Sequence, residues 1–315
     1  MPCVEVSGLR KTYGSVVALD GIDLAVEEGH ILGIVGPNGA GKSTALHALL
    51  GLVACEGSVR VLGKDPRRER HRLMREVSFI TDVAVLPRWI RVGQLLDYVA
   101  GVHPRFDRAK AEGFLARGGI RSADQVRRLS KGTVTQLHLA VVMAIDAKLL
   151  VLDEPTLGLD PLARKQFYDA LLHDYFDHTR TIVVTTHQIG EIQDVLTDFA
   201  FLNAGQIVLT GTMEAFESRY AQLRVHPGRL DAARALGPIH ERHVLDRSIL
   251  LFDGADRERL EMLGDVRRPT LGDLFVAAME GGSRRMEVAR WALPRVPRRI
   301  ARSKLRRRPA RERLA

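Results

Sequence analysis

The chain has 315 residues, 45% of them apolar and only 5% aromatic, enough to bury a core filled mainly by aliphatic side chains. Its formal charge of +9 is uneven: residues 284–315 hold thirteen Lys or Arg against Glu287 and Glu312, so the rest of the chain sums to −2, which makes the body slightly acidic and confines the basicity to the tail. No apolar run is long enough for a membrane span, no secretion signal opens the sequence, and Cys3 and Cys55 match no metal spacing, so a cytoplasmic protein with reduced thiols is expected.

Val4, Val6 and Leu9, then Ile22, Leu24 and Val26, alternate as short strands do, with Gly-containing turns between them. Ile31–Val35 is an uninterrupted apolar run and predicts a buried parallel strand. A glycine-rich loop follows and leads into a helix predicted over Ser43–Leu50. From about Pro87 to Ala144 the pattern is helical, with Leu95, Leu96, Tyr98 and Val99 assigned to one face and Leu137, Val141 and Ile145 to another. Leu149–Leu152 and Thr181–Thr185 predict two further buried strands, each followed by polar residues. Strands alternating with helices imply an α/β fold with a mostly parallel sheet flanked by helices. Residues 201–212 predict a hairpin.

The texture changes beyond residue 220. Leu223–Val225 and Ile249–Phe252 read as strands around a helix at Leu230–Leu236, and another helix is predicted over Leu271–Met279. The expected organisation is a main domain over 1–220 with a helical part at about 85–145, a small α+β accessory region over 221–283, and a basic tail over 284–315. In the tail, prolines break up the arginine clusters, so a solvated extension is the first reading. A seat on an anionic membrane face through Val288, Trp291 and Leu293 comes second. Nucleic acid comes last, because aromatic interleaving is nearly absent.

Gly36-Pro37-Asn38-Gly39-Ala40-Gly41-Lys42-Ser43 fits the spacing GxxxxGK[ST], placed between a buried strand and a helix as that motif requires. Its glycines let backbone N–H groups converge on phosphate oxygens at a helix N-terminus. Lys42 brings a compact positive charge to the phosphates, and Ser43 offers an oxygen to Mg²⁺. Asp153 and Glu154 stand just past an apolar strand, at the end of a parallel sheet where ligands bind. There Asp153 approaches Mg²⁺ and Glu154 polarises the attacking water. His187 ends another apolar strand in the same way and is assigned to the γ-phosphate.

Taken together, residues 3–220 resemble the nucleotide-binding subunits of ABC transporters. Tyr13 matches the aromatic that stacks on adenine, and Leu129-Ser130-Lys131-Gly132-Thr133 the signature usually written LSGGQ. Gly158-Leu159-Asp160 matches the D-loop and His187 the switch histidine. The resemblance implies a P-loop NTPase core with an antiparallel β subdomain and an inserted helical subdomain, binding ATP and Mg²⁺. Gly36, Asn38, Gly39, Ala40, Gly41, Lys42, Ser43 and Thr44 would hold the phosphates, with Asp160 nearby. Ser130 and Gly132 would cap the ATP held by a second ATPase subunit, identical or homologous, while separate permease subunits take up the motion. Such a protein sits peripherally on the cytoplasmic face of the membrane, and nucleic acid is not among its expected partners.

Three residues depart from the family pattern. Lys131 replaces a glycine, Thr133 replaces a glutamine, and Asp82 stands where a metal-facing Gln or Glu usually does, with a shorter reach. The style of that loop and the ending Leu271–Met279 point to export-type subunits. The competing readings are a soluble ABC ATPase acting on ribosomes or nucleic acid, and an ATP-sensing module without useful turnover.

Overall fold

The computed structural model describes residues 2–80, 86–245 and 247–280. The expected short N-terminal strands are in fact two long ones: β1 (Pro2–Tyr13) and β2 (Val16–Glu27) pair antiparallel around a tight turn at Gly14. Register shifts along the pair let it bend. Next comes β3 (Ile31–Val35), buried at every position as its continuous apolar run requires, and then α1 (Lys42–Leu49). β4 (Glu56–Val61) returns to the other side of β1, completing a three-stranded antiparallel sheet β2-β1-β4. A short α2 (Arg70–Leu73) precedes β5 (Val77–Ile80).

The helical stretch resolves into α3 (Val92–Val102), α4 (Arg108–Arg117) and α5 (Lys131–Met143). Val92, Leu96, Leu115, Leu137 and Val141 form their shared apolar cluster. Leu95 and Leu96 are buried as predicted, but Tyr98 is 65% exposed. The inward stripe of α3 runs through Val92, Leu95, Leu96 and half-buried Val99, the spacing of a 3.6-residue turn, and residue 98 falls off it. Ile145 is buried but lies beyond the end of α5.

β6 (Leu149–Asp153), α6 (Pro161–Ala170), a π-helical turn over Leu171–Tyr175, β7 (Thr181–Thr186), β8 (Asp198–Asn203) and β9 (Gln206–Thr212) complete the central sheet. Its order is β5-β6-β7-β3-β8-β9, parallel throughout except for β9, which forms the predicted hairpin with β8. The two faces of this sheet serve different layers. Leu150, Leu152, Ile182 and Val184 join the cluster under α5 and α6, whereas Leu149, Val151 and Val183 join the one under α1 and the antiparallel sheet. That division is the period-2 alternation of a strand buried on both sides.

After α7 (Met213–Arg219), the chain builds a second antiparallel sheet from β10 (Tyr220–Val225), β11 (His240–Val244), β12 (Arg247–Asp253) and β13 (Gly264–Arg267), in the order β11-β12-β10-β13. The helices α8 (Leu230–Arg234) and α9 (Arg257–Glu261) cover it, closing a small cluster of Leu223, Leu250, Phe252 and Leu260. The last helix, α10 (Leu271–Glu280), turns back onto the central domain. Its Leu271, Leu274 and Ala277 belong to the same cluster as Phe201 and Ile189, and the Leu271 N–H donates to Gln193 Oε1 at 3.2 Å.

Candidate functional site

The strand ends of β3, β6 and β7 converge, because neighbouring parallel strands in register deliver their last residues to one edge. Val35 pairs with Thr186 and Asp153 with Thr185. The loop leaving β3 can turn only with glycine at key positions. A Cβ on Gly36 would lie 2.2 Å from the Leu202 carbonyl oxygen, and one on Gly41 2.4 Å from that of Ala18. Gly41, with φ +106°, is also the residue that opens α1. Among residues 36–44, Asn38 and Gly39 are exposed, Ala40 and Lys42 are buried, and Ser43 and Thr44 are half-buried on the first turn of α1.

Lys42 is only 6% exposed, and its ammonium is fully engaged. It donates to the carbonyls of Gly36 (2.8 Å) and Pro37 (3.2 Å) and pairs with Glu154 Oε1 at 3.1 Å. The structure thus joins the phosphate loop to the acidic pair. Glu154 takes a left-handed backbone (φ 47°), uncommon outside glycine, and that turn lifts its side chain off the strand line. Its N–H donates to the carbonyl and the hydroxyl of Thr185, which secures the conformation. The other carboxylate oxygen, Oε2, meets His187 Nδ1 at 2.9 Å. Gln188 Nε2 lies 3.4 Å from His187 Nε2. Since the amide N–H can only donate, Nε2 accepts and Nδ1–H donates to Glu154.

Asp153 is buried to 3% exposure, and the Thr185 hydroxyl donates to one of its oxygens at 2.5 Å. The buried Asp153 carboxylate, which accepts from the Thr185 hydroxyl, and the half-buried Ser43 hydroxyl offer oxygen donors of the kind Mg²⁺ prefers. Glu154 Oε1 is buried without a hydrogen bond among the described residues and pairs with the Lys42 charge. The donor set and the glycine cradle both fit a triphosphate and its magnesium. Behind this edge, Thr156 and Tyr168 hydroxyls approach at 3.5 Å, and burial pushes the Tyr168 phenol up to about 12.

The remaining predicted residues lie elsewhere on the chain. Tyr13 ends β1 and is 47% exposed, with the Lys11 ammonium 4.7 Å from its ring centre. Ser130 caps α5: its hydroxyl accepts from the Thr133 N–H at 3.2 Å and bonds the Thr133 hydroxyl at 2.8 Å. Thr133 thereby serves the cap, a role its sequence position alone did not suggest. Asp160 caps α6, accepting from Leu162 and Ala163, with Pro161 at the first helical position. The end of the Lys131 side chain lies against Gly158, within 3.3 Å of where a Cβ would stand. Among the described residues, no hydrogen bond or ion pair joins Ser130, Gly132 or Asp160 to the phosphate loop. Asp82 and the basic tail fall outside the described residues.

Two participants escaped sequence reasoning. Thr185 ties Asp153 to the Glu154 backbone, and its signal was the matched ends of two apolar strands. Arg164 donates to the Leu159 carbonyl (2.8 Å) and Gln188 Oε1 (2.6 Å) and pairs with Glu191, binding the segment before α6 to the residues after His187. No pattern in the sequence marks it.

Comparison with known proteins gives a consistent result. The family described as ABC transporter matches residues 19–157. The chain is 30% identical over 313 residues to the daunorubicin resistance ATP-binding protein DrrA3 of Streptomyces coeruleorubidus, covering 91% of this chain and 98% of that one. It is 32% identical over 216 residues to the Nod factor export ATP-binding protein I of Ralstonia nicotianae, covering 67% of each. Among solved structures, an ATP-binding subunit of an ABC transporter superposes with a TM-score of 0.61 at 23% identity, covering 69% of this chain and 92% of that one. CbiO1 of Clostridium perfringens, part of the ABC transporter complex cbiONQ, gives a TM-score of 0.58 at 25% identity, covering 68% of this chain and 89% of that one.

Proposed function

The chain belongs to the family of ABC transporter ATP-binding subunits and is an ATPase, and from that premise we propose that it drives an exporter by closing around ATP with a second subunit. The observation that carries the hydrolytic part is the Lys42–Glu154–His187 chain of contacts at the end of the parallel sheet. The Lys42 ammonium is shared between loop carbonyls and Glu154, so phosphate oxygens entering the loop compete with Glu154 for it. Once released, Glu154 is free to accept a proton from water as the water attacks the γ-phosphorus. The bond to the bridging oxygen breaks, leaving ADP and inorganic phosphate. His187 fixes the Glu154 carboxylate through Nδ1 and carries positive charge near the γ-phosphate when protonated. Mg²⁺, held by Asp153 and Ser43, would neutralise charge on the phosphate oxygens. Tyr13 offers an exposed ring to the adenine.

The division of the pocket is supported by what the single chain leaves apart. Ser130 is spent on its own helix cap and reaches no residue of the phosphate loop. Exposed Leu157 and Leu162 flank the Gly158–Asp160 segment and give the opposing subunit an apolar margin. On this reading the Ser130 loop of one subunit covers the triphosphate of the other, and differential affinity for the closed pair converts ATP binding into motion. Permease subunits have a surface to take it up: Trp89, Tyr98 and Val102 are all more than 60% exposed on the helical layer. No helix among the described residues is long and apolar enough to cross a membrane, which suits a peripheral subunit on the cytoplasmic face. Export is the direction named in the Nod factor relative and accords with resistance in the other.

The test is Glu154→Gln. Turnover is expected to fall by on the order of 10²-fold or more, the usual contribution of a positioned base, while the affinity for ATP is retained. Steady-state phosphate release and equilibrium binding of a fluorescent ATP analogue measure the two quantities. Near-normal turnover would remove Glu154 from its assigned role.

A further inference from the structure

Between the helical layer and the central domain lies a cavity of about 430 Å³, with no residue of the phosphate loop in its lining. That volume falls within the range of about 300–1,000 Å³ usual for small-molecule sites. Its floor joins two apolar clusters: Leu139, Met143 and Phe167 come from the one beneath the sheet, Leu115 and Ala140 from that of the helical layer. Protein interiors close such gaps when they can, because a void forfeits dispersion contacts. Here the walls of α5 and α6 carry only methyl groups at Ala140, Ala163 and Ala170, so no side chain fills the space.

The rim is polar and not neutral. Directly after α6 the π-helical turn brings His173 and Asp174 to the opening, a distortion that often accompanies a binding site. Arg117 donates to Asp174 at 2.5 Å, so those two charges cancel. Asp169 also lines the opening, and among the described residues it has no ion pair or hydrogen bond. One uncompensated carboxylate thus stands above an apolar floor.

We infer that this cavity binds an amphipathic organic cation, with its apolar body on the Leu139–Phe167 floor and its ammonium or amidinium group at Asp169. An anion of the same shape meets the carboxylate at a cost, and a neutral molecule gains nothing from it, so charge sets the selectivity.

The experiment titrates the full chain with 9-aminoacridine, a flat organic cation, and separately with 1-anilinonaphthalene-8-sulfonate, an apolar anion. Saturable one-to-one binding is expected for the cation and at least tenfold weaker binding for the anion. Asp169→Asn, an exposed and isosteric change, is expected to weaken the cation about tenfold without affecting the anion. Ala163→Trp fills the cavity and abolishes both, with retention of a fluorescent ATP analogue showing that the variant is folded. Displacement of the dye by ADP, equal affinity for the two probes, or indifference to Asp169→Asn would each overturn the assignment. None of these readouts depends on ATP turnover, so the site stands or falls separately from the hydrolytic mechanism.

Discussion

The carboxyl edge of the parallel sheet and the four-stranded C-terminal sheet differ most in the charge they bury. The first buries a lysine and an aspartate, holds Glu154 in a left-handed turn, and packs glycine backbone against carbonyl oxygens. The second buries aliphatic side chains and keeps its charges outside, in pairs such as Arg234 with Glu241 at 2.8 Å. Burying charge and bending backbone oppose folding, and they persist where chemistry needs them. The C-terminal sheet shares the tight backbone, since a Cβ on Gly264 would lie 2.1 Å from the Arg224 carbonyl oxygen and Leu245 turns with φ 54°, but among the described residues it buries no Lys, Asp or Glu. The difference that remains is buried charge: Lys42 and Asp153 lie at the edge proposed to bind nucleotide, and the C-terminal sheet has no counterpart among the described residues.

The sharpest way to break the comparison is to injure each region by its own rule. Leu250→Ala removes a fully buried side chain from the C-terminal cluster and is expected to cost about 2–5 kcal/mol in urea unfolding of that region. Affinity for ATP should stay within about twofold, and a large loss of affinity would show that the two regions are one energetic unit. Gly36→Ala is the reverse case. The new methyl would press on the Leu202 carbonyl, costing about 1–3 kcal/mol of overpacking and lowering ATP affinity tenfold or more as the loop shifts. An unchanged binding isotherm would mean that the loop tolerates what its geometry forbids.

The smallest effect concerns acid. Hydrogen bonds from Lys148 and then Lys64 hold the Glu76 carboxyl down to about 2, against an ordinary value of 4.5. A lowered value favours the folded state above the ordinary one, so this stabilisation is present above pH 4.5 and disappears as the pH falls towards 2. These contacts tie the residue before β5 to the turn after β4 and to the approach to β6. Lys148→Ala should therefore lower the urea midpoint at pH 7 and narrow its difference from the original chain near pH 3. An equal gap at both pH values would remove Glu76 from the account.

The central strands and the phosphate loop were legible because each demands residues that nothing else supplies. Ile31–Val35 has no polar break, and the loop after it needs glycine at positions where any Cβ collides. What stayed hidden depends on partners far along the chain. The Lys42–Glu154 ion pair and the Leu271 N–H bond to Gln193 have no local signature. β11 was missed because His240–Val244 is polar on both faces, as an edge strand guarded by charge can be. Tyr98 was placed on the wrong face because four apolar residues close together outnumber the positions that one helical stripe can hold.

The central claim is that one chain holds only part of the catalytic pocket. Light scattering on Glu154→Gln, with and without saturating Mg-ATP, tests it most directly. The account predicts that the mass doubles with nucleotide, and that adding Ser130→Arg to the same chain prevents it. A chain that remains monomeric at saturating Mg-ATP would contradict the divided pocket.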